Sequence, residues 1–226
     1  MVNGLEFWKR EDIISDFKEK KRRVMEFLDR SGNDALIIGR QDNFSWYTCG
    51  GHNRVVITTE AGVMLLVITK QKTYGIAKTM DSTWIFDDML NDLGIEPVVL
   101  KWYEENCEEK ASELIKGMKA VSDVSVEGAR LAVDEIYKLH YPLTEIEIEK
   151  CRWIGRKTDE LLNKIANQIK PGMTEKDIEA MIKSEYGQYD LIPEVVLVGS
   201  DERIAKYRHP NPSDKKVEKT VLLHPA

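Results

Sequence analysis

Cysteine is scarce in this sequence of 226 residues: Cys49, Cys107 and Cys151 are odd in number, widely separated and without Cys-x-x-Cys spacing. Such a set argues against a disulfide framework or a zinc knuckle and points to free thiols. Long apolar runs are missing too. The longest, Val63 to Ile68, falls far short of the roughly 20 residues that a bilayer span requires, so no membrane partner is expected. Met1 to Arg10 sets Trp8 among charged residues with no apolar signal core, and a cytoplasmic location is expected. Several chemical signatures are also lacking: His-Glu-x-x-His, the Gly-x-x-x-x-Gly-Lys phosphate loop, the Gly-x-Gly-x-x-Gly dinucleotide fingerprint and Gly-x-Ser-x-Gly.

What is present is an ordinary globular composition, 42% apolar and 32% charged. A net charge of −6, with both signs mixed throughout, argues against a nucleic-acid surface. The basic stretch Lys18 to Arg23 lies inside a helix that also carries Glu and Asp, and reads as a solvated face.

Periodicity predicts a helix over 11–30, with Ile13, Phe17, Val24, Phe27 and Leu28 as its buried stripe and Gly32 at a left-handed C-cap. A short buried strand is expected at 35–38. Strands at 55–58 and 63–69 flank Thr59-Glu60-Ala61-Gly62, which reads as a hairpin turn, and 73–77 is a weaker strand. A helix at 84–93 ends at Gly94 and is followed by a strand at 97–100. The pattern continues with a helix at 107–118, a strand at 124–127 and a short helix at 133–139. Strands alternating with helices after an antiparallel start predict an α/β domain, a mixed sheet with helices on both faces. Its boundary is expected at Tyr141-Pro142, giving domains 1–141 and 142–226.

The second part opens with two helices joined by Lys170-Pro171-Gly172-Met173. Thr144-Glu145-Ile146-Glu147 and Thr174-Glu175-Lys176-Asp177 both have the hydroxyl-x-x-acid form of a capping box. Ile154, Thr158, Leu161, Leu162, Ile165 and Ile169 make an apolar stripe on the first helix, and Ile178, Met181 and Ile182 repeat it on the second. Glu145, Glu147 and Glu149 fan to different sides of their helix, so they form a solvated face and a cap rather than a metal site.

The run from Gln168 to Glu179, with Pro171-Gly172-Met173-Thr174-Glu175 at its centre, resembles the entry to the catalytic domain of the creatinase, prolidase and aminopeptidase P family of pita-bread metallopeptidases. The resemblance extends over nearly the whole chain. It implies a creatinase-type amino-terminal α/β domain followed by an incomplete α+β pita-bread segment. Asn43-Phe44-Ser45-Trp46-Tyr47-Thr48-Cys49-Gly50 is similar to the family's Asn-x-x-Tyr-x-Thr-Gly element, a helix and loop after the first strand, with Cys49 interposed. In dimeric members the following loop reaches the partner's active site, which makes His52 and Arg54 candidates for substrate contact. The alternative is that Trp46 and Tyr47 are core and His52 a surface imidazole. Asn43-Phe44-Ser45 also fits a glycosylation acceptor, a match that is idle without a secretion signal. Farther on, the strand near Glu194 to Val198 and the order His209, Pro212, Asp214 match the family's substrate-site histidine segment, against the alternative of a plain loop histidine.

The resemblance also implies two divalent metal ions, such as manganese, cobalt or zinc, held by two Asp, a His and two Glu. The corresponding strand, Thr220-Val221-Leu222-Leu223-His224-Pro225-Ala226, has no carboxylate in either alignment: Ala226 or His224 falls on the first metal Asp. No catalytic residue, no metal ligand and no cofactor are therefore expected in this chain. The expected function is self-association, or binding of a peptide-like or guanidino-like small molecule. The rival is a fragment of an active Xaa-Pro peptidase whose ligands lie beyond residue 226. A homodimer is expected, because an unfinished second domain leaves the stripes on 144–169 and 174–186 to be covered.

Overall fold

A computed structural model describes residues 9–103 and 106–226, and the contacts divide it into two compact units, Arg10–Thr144 and Glu145–Ala226. The stretch read for a leader, apart from Lys9 and Arg10, lies outside the described residues.

In the first unit α1 (Arg10–Ser31) buries Phe17, Val24, Phe27 and Leu28, which recur at helical spacing. Gly32, with φ +67, ends it where an L side chain would be strained. The sheet that follows has six strands in the order β4-β3-β2-β1-β5-β6: β1 (Ala35–Arg40), β2 (Ala61–Thr69), β3 (Thr73–Lys78), β4 (Glu96–Leu100), β5 (Ala120–Ser122) and β6 (Ala129–Leu131). β1 pairs antiparallel with β2, and β2 with β3, while β1–β5, β3–β4 and β5–β6 are parallel. The sheet is mixed, in agreement with the alternating pattern.

Strand alternation then sorts two cores. Leu36, Ile38, Met64, Leu66 and Ile68 point to the side covered by α1, α2 (Gln41–Tyr47), α3 (Thr79–Trp84) and α5 (Val133–Tyr137). Ala35, Ile37, Leu65 and Val67 point to the other side, where α4 (Cys107–Leu114) supplies Cys107 and Ala111. Asn106 and Glu109 form a reciprocal capping box at the start of α4.

Four expectations for this unit are corrected. Residues 55–58 are not a strand: Val55, Val56 and Ile57 are 62%, 52% and 57% exposed in a loop, and β2 instead forms its hairpin with β3. That turn is closed by Thr69, whose hydroxyl accepts from the Lys72 N–H at 3.0 Å. Residues 124–127 are instead the loop between the short strands β5 and β6: the pairing with β1 stops at Ser122, and beyond it the Gly39 N–H goes to the Asp123 side chain rather than to a strand backbone. Lys20 is not on a solvated face either. It is 1% exposed and pairs with the equally buried Asp16 at 3.1 Å, one helical turn away. The helix expected at 84–93 begins earlier, with α3, and passes through a π-helical turn at Ile85–Met89.

In the second unit α6 (Glu145–Ala166) and α7 (Glu175–Gly187) pack on a two-stranded antiparallel ribbon, β7 (Val196–Ser200) and β8 (Val221–Pro225), with α8 (Glu202–Lys206) after β7. The capping box of α7 is present: the Thr174 hydroxyl accepts from the Asp177 N–H at 3.1 Å, and Asp177 accepts from the Thr174 N–H at 2.8 Å. Leu161, Ile165, Ile178, Ile182, Tyr186, Val198 and Val217 form one core. The lower half of the α6 stripe is thus covered within its own unit, while Ile154 stays 46% exposed.

Candidate functional site

The first candidate segment is made by the junction of β1 and α2. The register of β1 slips between Ile38 and Arg40, and Gly39 sits at the slip with its Cα against Leu65 and Val124. Asp123, 3% exposed, accepts from the Gly39 N–H at 2.7 Å, the Arg40 N–H at 3.3 Å and the Asn43 amide at 2.8 Å. Burial pushes the Asp123 carboxyl above its ordinary range despite these donors. Asn43, the first residue of the motif, is therefore fully buried and spoken for, which removes it as a glycosylation acceptor.

Behind it, Phe44 and Tyr47 are fully buried and Trp46 nearly so. Trp46 stacks on His140 with ring centres 4.5 Å apart, and the Lys20 ammonium lies over its ring at 5.7 Å. The core reading of Trp46 and Tyr47 is correct. Cys49 takes a left-handed φ of +62, a conformation that suits glycine and costs a side chain about 1 kcal/mol. The interposed cysteine thus makes the turn that ends α2.

Beyond that turn the chain is pinned before it reaches the tip. Asn53 is fully buried and donates to the Met64 carbonyl at 2.9 Å, and its own carbonyl accepts from the Val63 N–H at 2.8 Å. Gln41 donates to the carbonyls of Val56 and Thr59 at 3.0 and 2.6 Å. The loop is therefore a fixed platform with three apolar side chains pointing out.

His52 sits at its root, half-buried, its ring 5.2 Å from that of Trp84. Its Nδ1 is buried without a hydrogen-bond partner. Burial first, and the neighbouring Arg54 charge second, lower its pKa, which favours the neutral imidazole. The surface-imidazole reading of His52 does not describe a ring half-buried against Trp84.

His209, the other candidate, belongs to the second unit, in the segment between α8 and β8, and is exposed, as is Asp214. Pro210 is buried with its ring against Gly199: a Cβ on that glycine would lie 2.7 Å from the Pro210 Cγ. The anchor that sequence reasoning missed is Glu175. Taken as part of a helix-start signal, it is instead fully buried and accepts from the Ser200 N–H and hydroxyl at 2.8 and 2.9 Å, Arg203 Nε at 3.0 Å, and the Ser213 N–H and hydroxyl at 3.0 and 2.6 Å. Burial pushes its carboxyl up, but the Ser213 and Ser200 donors outweigh it and leave the pKa below the ordinary value. Glu175 closes the Pro171-Gly172-Met173-Thr174-Glu175 run, but no local signal marks its burial or its partners, which are 25 to 38 residues away.

Asp201 is a second such group. With φ +49 it turns the chain from β7 into α8, and it accepts from the N–H groups of Glu218, Lys219 and Thr220, each at 2.9 Å. The Thr220 and Glu218 donors pull its pKa down to about 2.

Two divalent cations need several acidic oxygens directed at one point. Glu175 and Asp201 direct theirs at N–H and O–H donors, and β8 offers only His224. Among the described residues no group of three or more His, Cys, Asp or Glu is placed to hold a metal ion. The described carboxylates, directed at N–H and O–H donors, do not fit a two-metal centre. Nor is any described helix long and apolar enough to cross a membrane.

No protein-family model and no curated protein matches the sequence. Solved structures do match. A prolidase from Thermococcus sibiricus aligns with TM-score 0.71 at 16% identity, over 92% of this chain and 60% of that one. A Bacillus anthracis Xaa-Pro dipeptidase gives 0.69 at 15%, over 92% and 59%, and a Thermotoga maritima X-Pro aminopeptidase gives 0.65 at 19%, over 90% and 59%. This chain therefore spans about three-fifths of the length of the structures that it matches. Over that length it has the fold of the prolidases and Xaa-Pro peptidases, with the mixed six-stranded sheet of their amino-terminal domain.

Proposed function

We propose that these 226 residues form the ligand-contacting and self-associating part of an Xaa-Pro peptidase-like protein, and that on their own they bind a peptide-like or guanidino-like small molecule without hydrolysing it. The observation that carries this is the commitment of the carboxylates Asp123, Glu175 and Asp201 to backbone and side-chain donors, together with the lack, among the described residues, of any other acidic group placed to hold a metal ion and activate a water. His52 with Arg54, and His209, are the proposed contacts, the domains are proposed as 1–141 and 142–226, and the location as cytoplasmic. The purified chain should show no turnover of an Xaa-Pro dipeptide with manganese, cobalt or zinc added. Metal-dependent turnover that disappears in His209→Ala would overturn the proposal.

Association as a homodimer is supported by the exposed Val55-Val56-Ile57 tip and by the ribbon β7–β8, whose outer edges pair with no further strand among the described residues. Sedimentation equilibrium at micromolar concentration should give twice the chain mass. A clean monomer would remove the self-association part.

The coverage of three-fifths favours one second reading, that the chain is a piece of an active metal-dependent Xaa-Pro aminopeptidase or dipeptidase whose metal ligands lie beyond residue 226. An in-frame downstream coding sequence with Asp, His and Glu ligands would decide for it.

A further inference from the structure

We infer that Glu175 is a positioning residue, whose ionised carboxylate fixes the segment from Tyr207 to Asp214 and so sets how His209 is presented. The inference rests on the reading of His209 as a ligand contact for its functional meaning, but not for its geometry. Four pieces of chain meet at this one side chain: α7, which carries it, Ser200 at the end of β7, Arg203 on α8, and Ser213. Arg203 extends the hold, since its Nη2 donates to the Asn211 carbonyl at 2.8 Å and its guanidinium lies 5.0 Å from the Tyr207 ring centre. Pro210 fills the gap over Gly199. The segment is thus held at 207, 210, 211 and 213, and Arg208 and His209, both exposed, are left outward between the first two of these holds.

Ionisation is what makes the arrangement work. An ionised carboxylate is acceptor-only and meets all five donors, whereas the protonated form adds a donor where a serine or Arg203 already points one. Arg203 is the charged group in contact with it. The other charges nearby are engaged elsewhere: Lys176 with Asp214 at 3.1 Å, Asp177 with the Thr174 N–H, and Lys215 with Glu218 at 2.8 Å. A carboxylate that served only the helix start would bond to its own first turn, as Asp177 does.

The test is amide hydrogen exchange on the full chain, with the His209 imidazole followed by NMR. In Glu175→Gln, which keeps the shape and removes the charge, the Ser213 amide should lose protection by about tenfold or more, as expected for one charged hydrogen bond. The His209 ring signals should shift, while Ile178, Ile182 and Val198 keep their protection. In the unmodified chain the same loss should appear as pH falls through the Glu175 carboxyl range, below its ordinary 4.5, and that pH profile should be absent from Glu175→Gln. Unchanged Ser213 exchange and unchanged His209 signals in Glu175→Gln overturn the inference. If that variant fails to fold, Ser213→Ala decides: it removes one hold, and unaltered His209 signals there overturn the inference equally. Loop control without any peptide binding by the unmodified chain would refute the proposed ligand role of His209 and leave the positioning role standing.

Discussion

Replacing Lys20 by Met removes a charge from the interior while leaving Asp16 behind, and the cost can be bounded from both sides. The two side chains are 2% and 0% exposed and 3.1 Å apart, so Asp16 loses its ion pair in a place that water does not reach. Breaking a buried pair by removing one partner costs about 3 to 5 kcal/mol. Asp16 has an escape, because it can take up a proton. Burial works against its charge, and the Thr144 hydroxyl, Lys20 and the Cys49 thiol together hold its pKa below the ordinary 3.8. Once Lys20 is gone, protonation limits the damage to about 1.4 kcal/mol for each pH unit above that ordinary value, roughly 4 kcal/mol at pH 7 and under 2 kcal/mol at pH 5.

The sign follows: the Lys20→Met deficit grows as pH rises. Urea unfolding followed by circular dichroism at the two pH values measures it, and the double variant Asp16→Leu/Lys20→Met should recover to within about 1 kcal/mol of the parent. An equal deficit at pH 5 and pH 7, or a double variant as unstable as the single one, would refute the buried-pair account.

A fragment covering residues 10–144 should fold cooperatively by itself, since its sheet and both of its cores are internal to it; a disordered circular dichroism spectrum would disprove this. Gly39→Ala should destabilise by about 1 to 3 kcal/mol, because its Cβ would lie 2.6 Å from Leu65 and 2.7 Å from Val124 in a packed core; an unchanged urea midpoint would show that those side chains move aside.

Helices and the long strands are legible in the sequence because their signals are local. The α1 stripe, the α7 cap and the run Val63 to Ile68 each declare themselves within a few residues. The misses share a cause of the opposite kind. Val55-Val56-Ile57 has strand-like chemistry, but Gln41 and Asn53 hold its backbone in a loop, and those bonds reach across 11 to 18 residues. Lys20 looks solvated by composition, and only the placement of Trp46 and Asp16 shows why it can be buried. Of the candidate site, His52, Arg54 and His209 come from motif order alone, and their contact with a ligand is a proposal. Asp123 and Glu175, which accept from backbone amides at the β1–α2 junction and at Ser200 and Ser213, were not legible as anchors, because an acid that accepts from distant amides looks like any surface acid when read in one dimension.

The place of β1 in the sheet has a consequence for how the chain reaches this structure. One neighbour, β2, follows after a single short helix and loop, whereas the other, β5, arrives much later, and the Asp34 to Lys119 bond that flanks that pairing joins residues 85 positions apart. Closing so long a loop is entropically more demanding than closing the β2–β3 turn. During synthesis the strands β1 to β4 have to wait with one side of β1 open to solvent. Leu36 and Ile37 lie along that open side until Val121 emerges and closes it, so the interval before residue 122 is made is when the nascent chain is most exposed to wrong pairing.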